Sequence, residues 1–462
     1  MENIIVQLSR YVIIILFAIY TFYCFRAFAG KSKKRQNHIF RMQRTITVLL
    51  HLLCTAILCM ETENFSLLAL AALQLAFYLL FIKLYETFYK GLSKLVLNNM
   101  MMCMMIGFII LERLSFQNAV KQFIMAAAAA GVCLFVPFII QKFTFLDRLG
   151  WQYAMLGILF LLLVFVIGVE KWGAKNWIRI GGFEVQPSEF VKIIFVFFIS
   201  ALLARVKDFK HLVLITGVAA VHVVILVAEK DLGGALIYFV TYLMVLFVAT
   251  GKLFYLGAGI LAGGTAAVLA YRIFAHVRVR VIAWKDPWSV IDNQGYQITQ
   301  SLFAIGTGGW FGMGLGKGLP ESIPVVESDF VFSAISEELG AIFAFCLILV
   351  YLSSYIMFVN IAMKMKKEFY KLTAFGLSVV FIFQVFLCVG GVTKFIPSTG
   401  VTLPLISYGG SSIVSTIVIF SIIQGMYVLN EKEEIAIEKE QNSESGTGRI
   451  GRKQKKEKKS KS

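Results

Sequence analysis

Three charged clusters stand at the edges of long apolar runs, and each holds side chains that can move a proton or neutralise a phosphate. The first reads GAKNWIRIGGFEVQPSEFVK, with Lys175 and Arg179 beside Trp172 and Trp177, a Gly181-Gly182 turn, and Pro187 and Glu189 at a helix start. Proline opening a helix with an acid in its first turn is ordinary start chemistry. It does not explain Lys192, one turn further in, because a cation inside an apolar span is costly and faces a polar cavity or a buried partner. The second cluster, AEKDLGGAL, puts Glu229, Lys230 and Asp231 at a sharp junction between two spans. A solvated turn looks the same, and Asp231 before Leu232 and Gly233 also suits a helix N-cap. The third, PVVESDFVFSAISEELG, brings Glu327, Ser328 and Asp329 to the start of an apolar helix, with Glu337 and Glu338 two turns deeper. Asp329 suits a cap as well as a base. Two adjacent carboxylates at the depth of Glu337 point to a polar interior rather than to lipid.

The remaining chemistry sits on irregular chain. TKFIPSTGVTLPLISYGGSS carries Lys394 and Ser407, while Pro397, Gly400, Pro404, Gly409 and Gly410 interrupt what hydropathy alone places at membrane depth. Such backbone survives there only when buried in protein or lining a wet cavity. A long connector, about 272–328, holds Trp284, Trp288, Tyr296 and Trp310, an apolar stretch at 298–305, and a glycine series from Gly306 to Gly318. Loops of that length are functional or disordered, and this one predicts an ordered loop with a short helix. The glycines match no nucleotide-binding loop and follow no strand. The five histidines lack metal-ligand spacing, and no GxSxG nucleophile elbow occurs.

The elements that must position these residues are membrane helices. Of 462 residues 58% are hydrophobic and 15% charged, and a mean hydropathy of +0.78 exceeds what a soluble surface carries. The apolar runs lack the ten-residue alternation of a membrane barrel, so the fold class is all-α and polytopic. Thirteen spans are expected near 10–28, 44–60, 64–83, 95–111, 120–140, 151–169, 188–204, 211–228, 232–250, 253–272, 330–359, 370–393 and 406–429. The first run follows only Arg10 and has no small-residue cleavage site, so it stays as a helix. Basic connectors at 30–44, 83–94, 142–148, 205–210, 252 and 364–371 fall on one side, the cytoplasm by the positive-inside rule. The N-terminus is then outside and the C-terminus cytoplasmic, with the large loop 273–328 and the three charged clusters extracytoplasmic. The net charge of +17 thus reports topology rather than nucleic-acid binding. Residues 431–462, ending in a basic run, read as a disordered cytoplasmic tail lying against anionic membrane lipids. The seven cysteines fall inside apolar runs without CxxC pairs, so disulfides and zinc are not expected.

GAKNWI, QPSEFVK, KDLGGAL, QGYQITQS with GGWFGMGLG, SDFVFSAISEELG and PSTGVTLPLISYGGSS occur in one order. That order resembles the SEDS family (shape, elongation, division and sporulation), which includes FtsW, RodA and SpoVE, over about residues 95–430. The resemblance implies a ten-helix catalytic core at 91–430 preceded by an N-terminal three-helix membrane extension at 1–90. It implies a bacterial cytoplasmic-membrane peptidoglycan glycosyltransferase that polymerises lipid II with undecaprenyl pyrophosphate as leaving group. Its implied partners are a class B penicillin-binding protein and other elongation or division proteins. The family's essential aspartate corresponds to Asp329. Asn176 and Lys230 depart from the family's usual arginine and proline. The residues then allow Asp329 as general base in an inverting displacement, with Lys192, Arg179, Arg280 and Lys394 as cations for the pyrophosphate and Glu189, Glu229, Asp231 and Ser407 as further substrate-binding candidates. No protein metal site is expected, and a divalent cation, Mg or Mn, held through the pyrophosphate is an allowed addition. The competing readings are a lipid II flippase, which shares intramembrane charge and broken helices but calls for an internal repeat, and a noncatalytic cell-wall scaffold.

Overall fold

Backbone polar groups in hydrocarbon must be paired within their own segment, and this chain meets that demand with helices. The computed structural model describes residues 2–29, 32–171, 174–180 and 183–459. In chain order the helices are α1 (Glu2–Arg26), α2 (Lys33–Thr62), α3 (Ser66–Phe88), α4 (Lys94–Leu114), α5 (Phe116–Cys133), α6 (Val136–Lys142), α7 (Gly150–Ile167), α8 (Pro187–Leu203), α9 (Phe209–Ala228) and α10 (Leu232–Thr250). They continue as α11 (Leu253–Ile273), α12 (Ala275–Lys285), α13 (Tyr296–Gly308), α14 (Val331–Lys364), α15 (Glu368–Val392) and α16 (Gly410–Lys459). Twelve spans among the described residues are long and apolar enough to cross a membrane, α5 and α6 forming one of them across Pro137. The remaining expected span, α8, has 17 residues, about 26 Å of helix. It packs among α7, α10 and α15.

Two segments differ from the sequence expectation. Residues 169–185 form a small antiparallel sheet, β1 (Val169–Lys171), β2 (Ala174–Ile180) and β3 (Phe183–Val185), with Val169 opposite Trp177 and Ile178 opposite Val185. Trp177, Ile178, Ile180, Phe183 and Val185 are strand-forming residue types on either side of the Gly181-Gly182 pair, a signal outweighed by the surrounding helix pattern. The segment expected as a disordered tail from 431 continues α16 as helix to Lys459. Its Glu, Lys, Gln and Ala residues are good helix formers, and a helix already rooted in the membrane extends without a new nucleus.

Helix α4 is the axis of the bundle. Its sequence is apolar on all sides apart from Asn98, Asn99 and Glu112, which fits a helix with no lipid-facing side, and it is buried from Leu95 to Glu112. Gly107 on α4 lets the irregular segment before α16 approach closely: a Cβ there would lie 2.6 Å from Leu405 O and 2.9 Å from Ile406 Cα. The extension helices do not stand apart from this axis. α1 packs on α14 and α2 on α4, with the Phe17 and Phe343 rings stacked at 4.2 Å. A polar seam runs through the apolar contact. The Tyr20 hydroxyl donates to Asn99 Oδ1 at 3.0 Å, and Asn99 Nδ2 donates to the Ser353 and Ser354 hydroxyls at 2.8 and 3.0 Å. At the opposite end Arg10 Nη1 donates to Gly312 O at 2.9 Å, and Lys317 pairs with Glu61 at 2.7 Å. The start of α1 therefore lies on the same face as the long loop.

Gly107→Ala is expected to lower the unfolding temperature in detergent, with an overpacking cost of about 1–3 kcal/mol. Gly131→Ala on α5, where an added Cβ meets nothing within 4 Å, is expected to leave it unchanged. Equal stability of the two variants rejects close packing of α4 on the 402–408 segment.

Candidate functional site

The carboxylate of Asp329 is released from the duty its position suggested. Helix α14 begins at Val331, its cap position is Phe330, and no side chain caps it. Asp329 instead ends a tight turn in which its own N–H and that of Ser328 both donate to Val325 O at 3.2 Å, with Val325 in the left-handed region at φ 59°. The turn is fixed from the α16 side. The Ser407 hydroxyl donates to Ser328 O, Tyr408 N donates to Glu327 O at 2.8 Å, and Gln122 Nε2 on α5 donates to Ser407 O at 3.0 Å. Ser407 is thus a pin holding the site's backbone, its oxygen also accepting from Leu403 N at 2.8 Å.

Gly400 faces the freed carboxylate. A Cβ at this residue would lie 3.3 Å from Asp329 Oδ2 and 3.6 Å from Arg280 Nη2. Its φ of 71° also suits glycine. Acid and guanidinium therefore both approach a point where the opposing chain offers only backbone. Arg280 comes from α12 and donates Nη1 to Ser398 O at 3.2 Å. Asp329 is half-buried and Arg280 exposed. Burial raises the Asp329 carboxyl above its ordinary value, and the Ser328 hydroxyl and Arg280 charge pull it back down.

Behind this pair lie two further charge clusters. Lys192, 2% exposed, places Nζ 2.6 Å from Glu189 Oε2 and 2.8 Å from Gln384 Oε1, and the Ser415 hydroxyl donates to the same Glu189 oxygen at 2.8 Å. Gln384 Nε2 donates to Thr402 O at 3.1 Å, which ties the buried pair to the chain just past Gly400. Asp231 caps α10, with Oδ1 accepting from Gly234 N at 2.8 Å. Its Oδ2 accepts from Gln186 Nε2 at 3.1 Å and from Ser188 Oγ at 3.3 Å, joining the starts of α8 and α10. Glu229 is 1% exposed and neither of its oxygens is hydrogen-bonded. Burial, then the charge of Asp231, push its carboxyl up to about 8. His276 on α12 is held below its ordinary value by burial and by the cations Arg280 and Lys230.

The deeper acids serve the loop. Gly340, at φ 83°, breaks α14, and the loop backbone takes up the carbonyls before the break: Met313 N donates to Glu337 O and Gly314 N to Glu338 O, both at 2.9 Å. Glu338 adds its side chain, 2.9 Å from Arg113 Nε and accepting from Gly316 N at 3.0 Å, while Glu337 Oε1 accepts from Leu319 N at 3.1 Å.

Residues 93–432 match the model of the FTSW_RODA_SPOVE family, described as cell cycle protein. The chain belongs to this family. It is 37% identical over 297 residues to the peptidoglycan glycosyltransferase RodA of Mycobacterium tuberculosis, covering 60% of this chain and 63% of that one. To RodA of Mycobacterium leprae it is 34% identical over 322 residues, 66% of this chain and 69% of that one. Stage V sporulation protein E of Bacillus subtilis is 32% identical over 300 residues, 62% of this chain and 81% of its own. The chain thus spans slightly less than two thirds of the Mycobacterium tuberculosis relative it matches. The fold is shared with a chain of a peptidoglycan synthase complex that coordinates polymerization and crosslinking, at a TM-score of 0.63, 24% identity, and coverage of 73% of this chain and 98% of that one. It is shared also with the Rod shape determining protein RodA of Thermus thermophilus, at 0.53, 23% identity, and 73% and 97% coverage. The family match opens just before α4, so α1–α3 precede it.

Within the family frame, the residues singled out from sequence divide. Asp329 and Arg280 face the 398–400 segment, Asp231 lies within reach of the Arg280 charge and Glu229 beside Asp231, while Lys192 and Glu189 form a separate pair. Arg179 lies exposed on β2 beside Glu184 at 3.4 Å, and Lys394 offers its carbonyl to Trp284 Nε1 at 3.1 Å. Among the described residues Arg280 is the cation that bears on Asp329. The side chain of Lys175 lies outside the described residues. Among those described, no three His, Cys, Asp or Glu side chains converge as a metal-ligand set, so the Mg or Mn expectation rests on the pyrophosphate alone. Gln384 and Gln122 were missed, although a lone amide inside an apolar span signals a buried partner as Lys192 does.

Lys192→Met is expected to destabilise the protein by about 3–5 kcal/mol, because it leaves Glu189 as an uncompensated buried charge. Glu189→Gln in the same chain is expected to recover much of the loss. Thermal unfolding of the single and double variants reads both, and independent effects reject the pair.

Proposed function

We propose that this chain is a peptidoglycan glycosyltransferase that polymerises lipid II at the outer face of the bacterial cytoplasmic membrane. The single observation that carries the reading is the Asp329 carboxylate, uncommitted to any helix cap and set opposite Arg280 across Gly400. Relatives that are 37% and 34% identical and named peptidoglycan glycosyltransferase support it. In this reading Asp329 takes the proton from the 4-hydroxyl of the acceptor N-acetylglucosamine. That oxygen attacks the anomeric carbon of the donor N-acetylmuramic acid, the bond to the pyrophosphate breaks, and configuration inverts. Arg280, exposed beside the base, neutralises charge growing on the leaving undecaprenyl pyrophosphate. Lys192 stays with Glu189 and supports the site from behind. Glu229, buried beside Asp231 with its carboxyl pushed up to about 8, supports the site from within.

In this reading the site and the N-terminus face outward and the C-terminus is cytoplasmic. The Arg10 bond to Gly312 supports a shared face for α1's start and the loop, and the short basic connectors support the opposite face as the inner one. A class B penicillin-binding protein is the proposed partner. The shared fold with a chain from a complex that joins polymerization to crosslinking supports that choice.

Asp329→Asn is expected to reduce polymerisation of labelled lipid II by about 10²-fold or more while the protein still folds, since general base catalysis contributes about 10²- to 10⁴-fold. An unmutated rate rejects Asp329 as base, and translocation of lipid II without glycan product by the wild type assigns the chain to transport instead. The pH profile supplies an independent check. A base works only when deprotonated, so kcat/KM falls as pH drops through the Asp329 pKa, which burial has raised. Arg280 lowers that pKa, so Arg280→Gln is expected to move the acid limb to higher pH. No shift, or a shift to lower pH, rejects their coupling.

A further inference from the structure

Away from the site, the cleft between α2 and α3 is a groove of about 490 Å³. Its walls are apolar, with Val48 and Leu49 from α2 and Leu79 and Ile82 from α3, while Arg44, Lys83 and Glu86 line it near one end. Glu86 accepts from Arg44 at 2.7 Å and stands 4.0 Å from Lys94. Two cations therefore flank the acid and Lys83 lines the groove beside them, leaving an excess of positive charge near the mouth. The level of this mouth follows from the sequence. Helix α2 carries Lys33, Lys34, Arg35, Arg41 and Arg44 and then turns apolar, and α3 is apolar until Lys83 and Glu86. The groove thus crosses from headgroup depth into hydrocarbon on the basic face of the bundle. Tyr78 also lines it, its hydroxyl buried on the Thr47 side.

We propose that this groove holds one anionic glycerophospholipid, with its phosphate between Arg44 and Lys83 and an acyl chain along Leu49 and Leu79. The ligand must be amphipathic, because the walls and the mouth demand opposite chemistry. A transmembrane helix of another protein would fill the walls and leave the cations without an anion. A zwitterionic lipid would bring its own cation to a mouth that already has too many. The proposal stands independently of the glycosyltransferase reading, since none of these residues touches Asp329 or its neighbours.

The test uses the full chain in nanodiscs of equal parts phosphatidylglycerol and phosphatidylcholine, with lipids retained after detergent transfer counted by native mass spectrometry. Leu79→Trp fills the groove and Lys83→Glu reverses its charge, and both positions are exposed, which keeps the fold out of the comparison. The wild type is expected to retain phosphatidylglycerol in preference to phosphatidylcholine, and each variant to retain it at least about fivefold more weakly. A photoreactive phosphatidylglycerol is expected to label residues 44–49 and 78–87. Equal retention of the two lipids, unchanged retention in both variants, or labelling confined to other helices overturns the proposal. Capture of a protein helix in cells by a photo-crosslinker at position 79, in place of lipid, assigns the groove to a partner and overturns it as well.

Discussion

Everything at the site depends on one constraint: chain that is not helical cannot meet hydrocarbon unless the protein itself satisfies its N–H and C=O groups. Residues 309–330 and 393–409 are such chain, and side chains from regular helices complete them. Gln122 on α5 holds Ser407 and Gly409, Gln384 on α15 holds Thr402, and Glu337 and Glu338 on α14 hold the loop from Gly316 to Leu319. The break in α14 at Gly340 belongs to the same solution, because the carbonyls it frees are those the glycine loop needs. A carboxylate can face a cation across a bare glycine only because the backbone on both sides is fixed by these bonds.

The same charges are used in two ways a short distance apart. Lys192 and Glu189 form a closed pair, short and completed by Gln384 and Ser415, so the ammonium and the Glu189 Oε2 oxygen each have two fixed partners. Asp329 and Arg280 are looser, with the acid half-buried and the cation exposed. A closed pair gives rigidity, and an open one leaves lone pairs for a visitor. Glu229 is a third case, a carboxyl without hydrogen-bond partners that burial, then the charge of Asp231, push up to about 8.

Sequence made the helices legible because hydropathy and span length are one-dimensional signals, and the thirteen spans follow from them. It also found Asp329 and Lys192, since a charge inside apolar sequence stands out wherever the fold puts it. What it could not supply was partnership. Asp329 and Asp231 both precede apolar helices, yet only Asp231 caps one, a difference set by the turn at Val325 and invisible in the local pattern. Arg179 and Arg280 both sit in outer segments, and only the arrival of α12 against residues 398–400 separates them. The small sheet was hidden for the opposite reason, its strands being too short to raise a period-two signal above the flanking helices.

The two bonds from the extension to the glycine loop set an order of assembly. Arg10 is made 302 residues before Gly312, whose carbonyl it grips, and Glu61 is likewise made long before the Lys317 ammonium it pairs with. Domains of a growing chain form from the N-terminal end, so the first hairpin of membrane helices is already in place when the loop emerges. The loop then settles against a surface that has been waiting for it, and a chain beginning at α4 would have to find the same conformation without that guide.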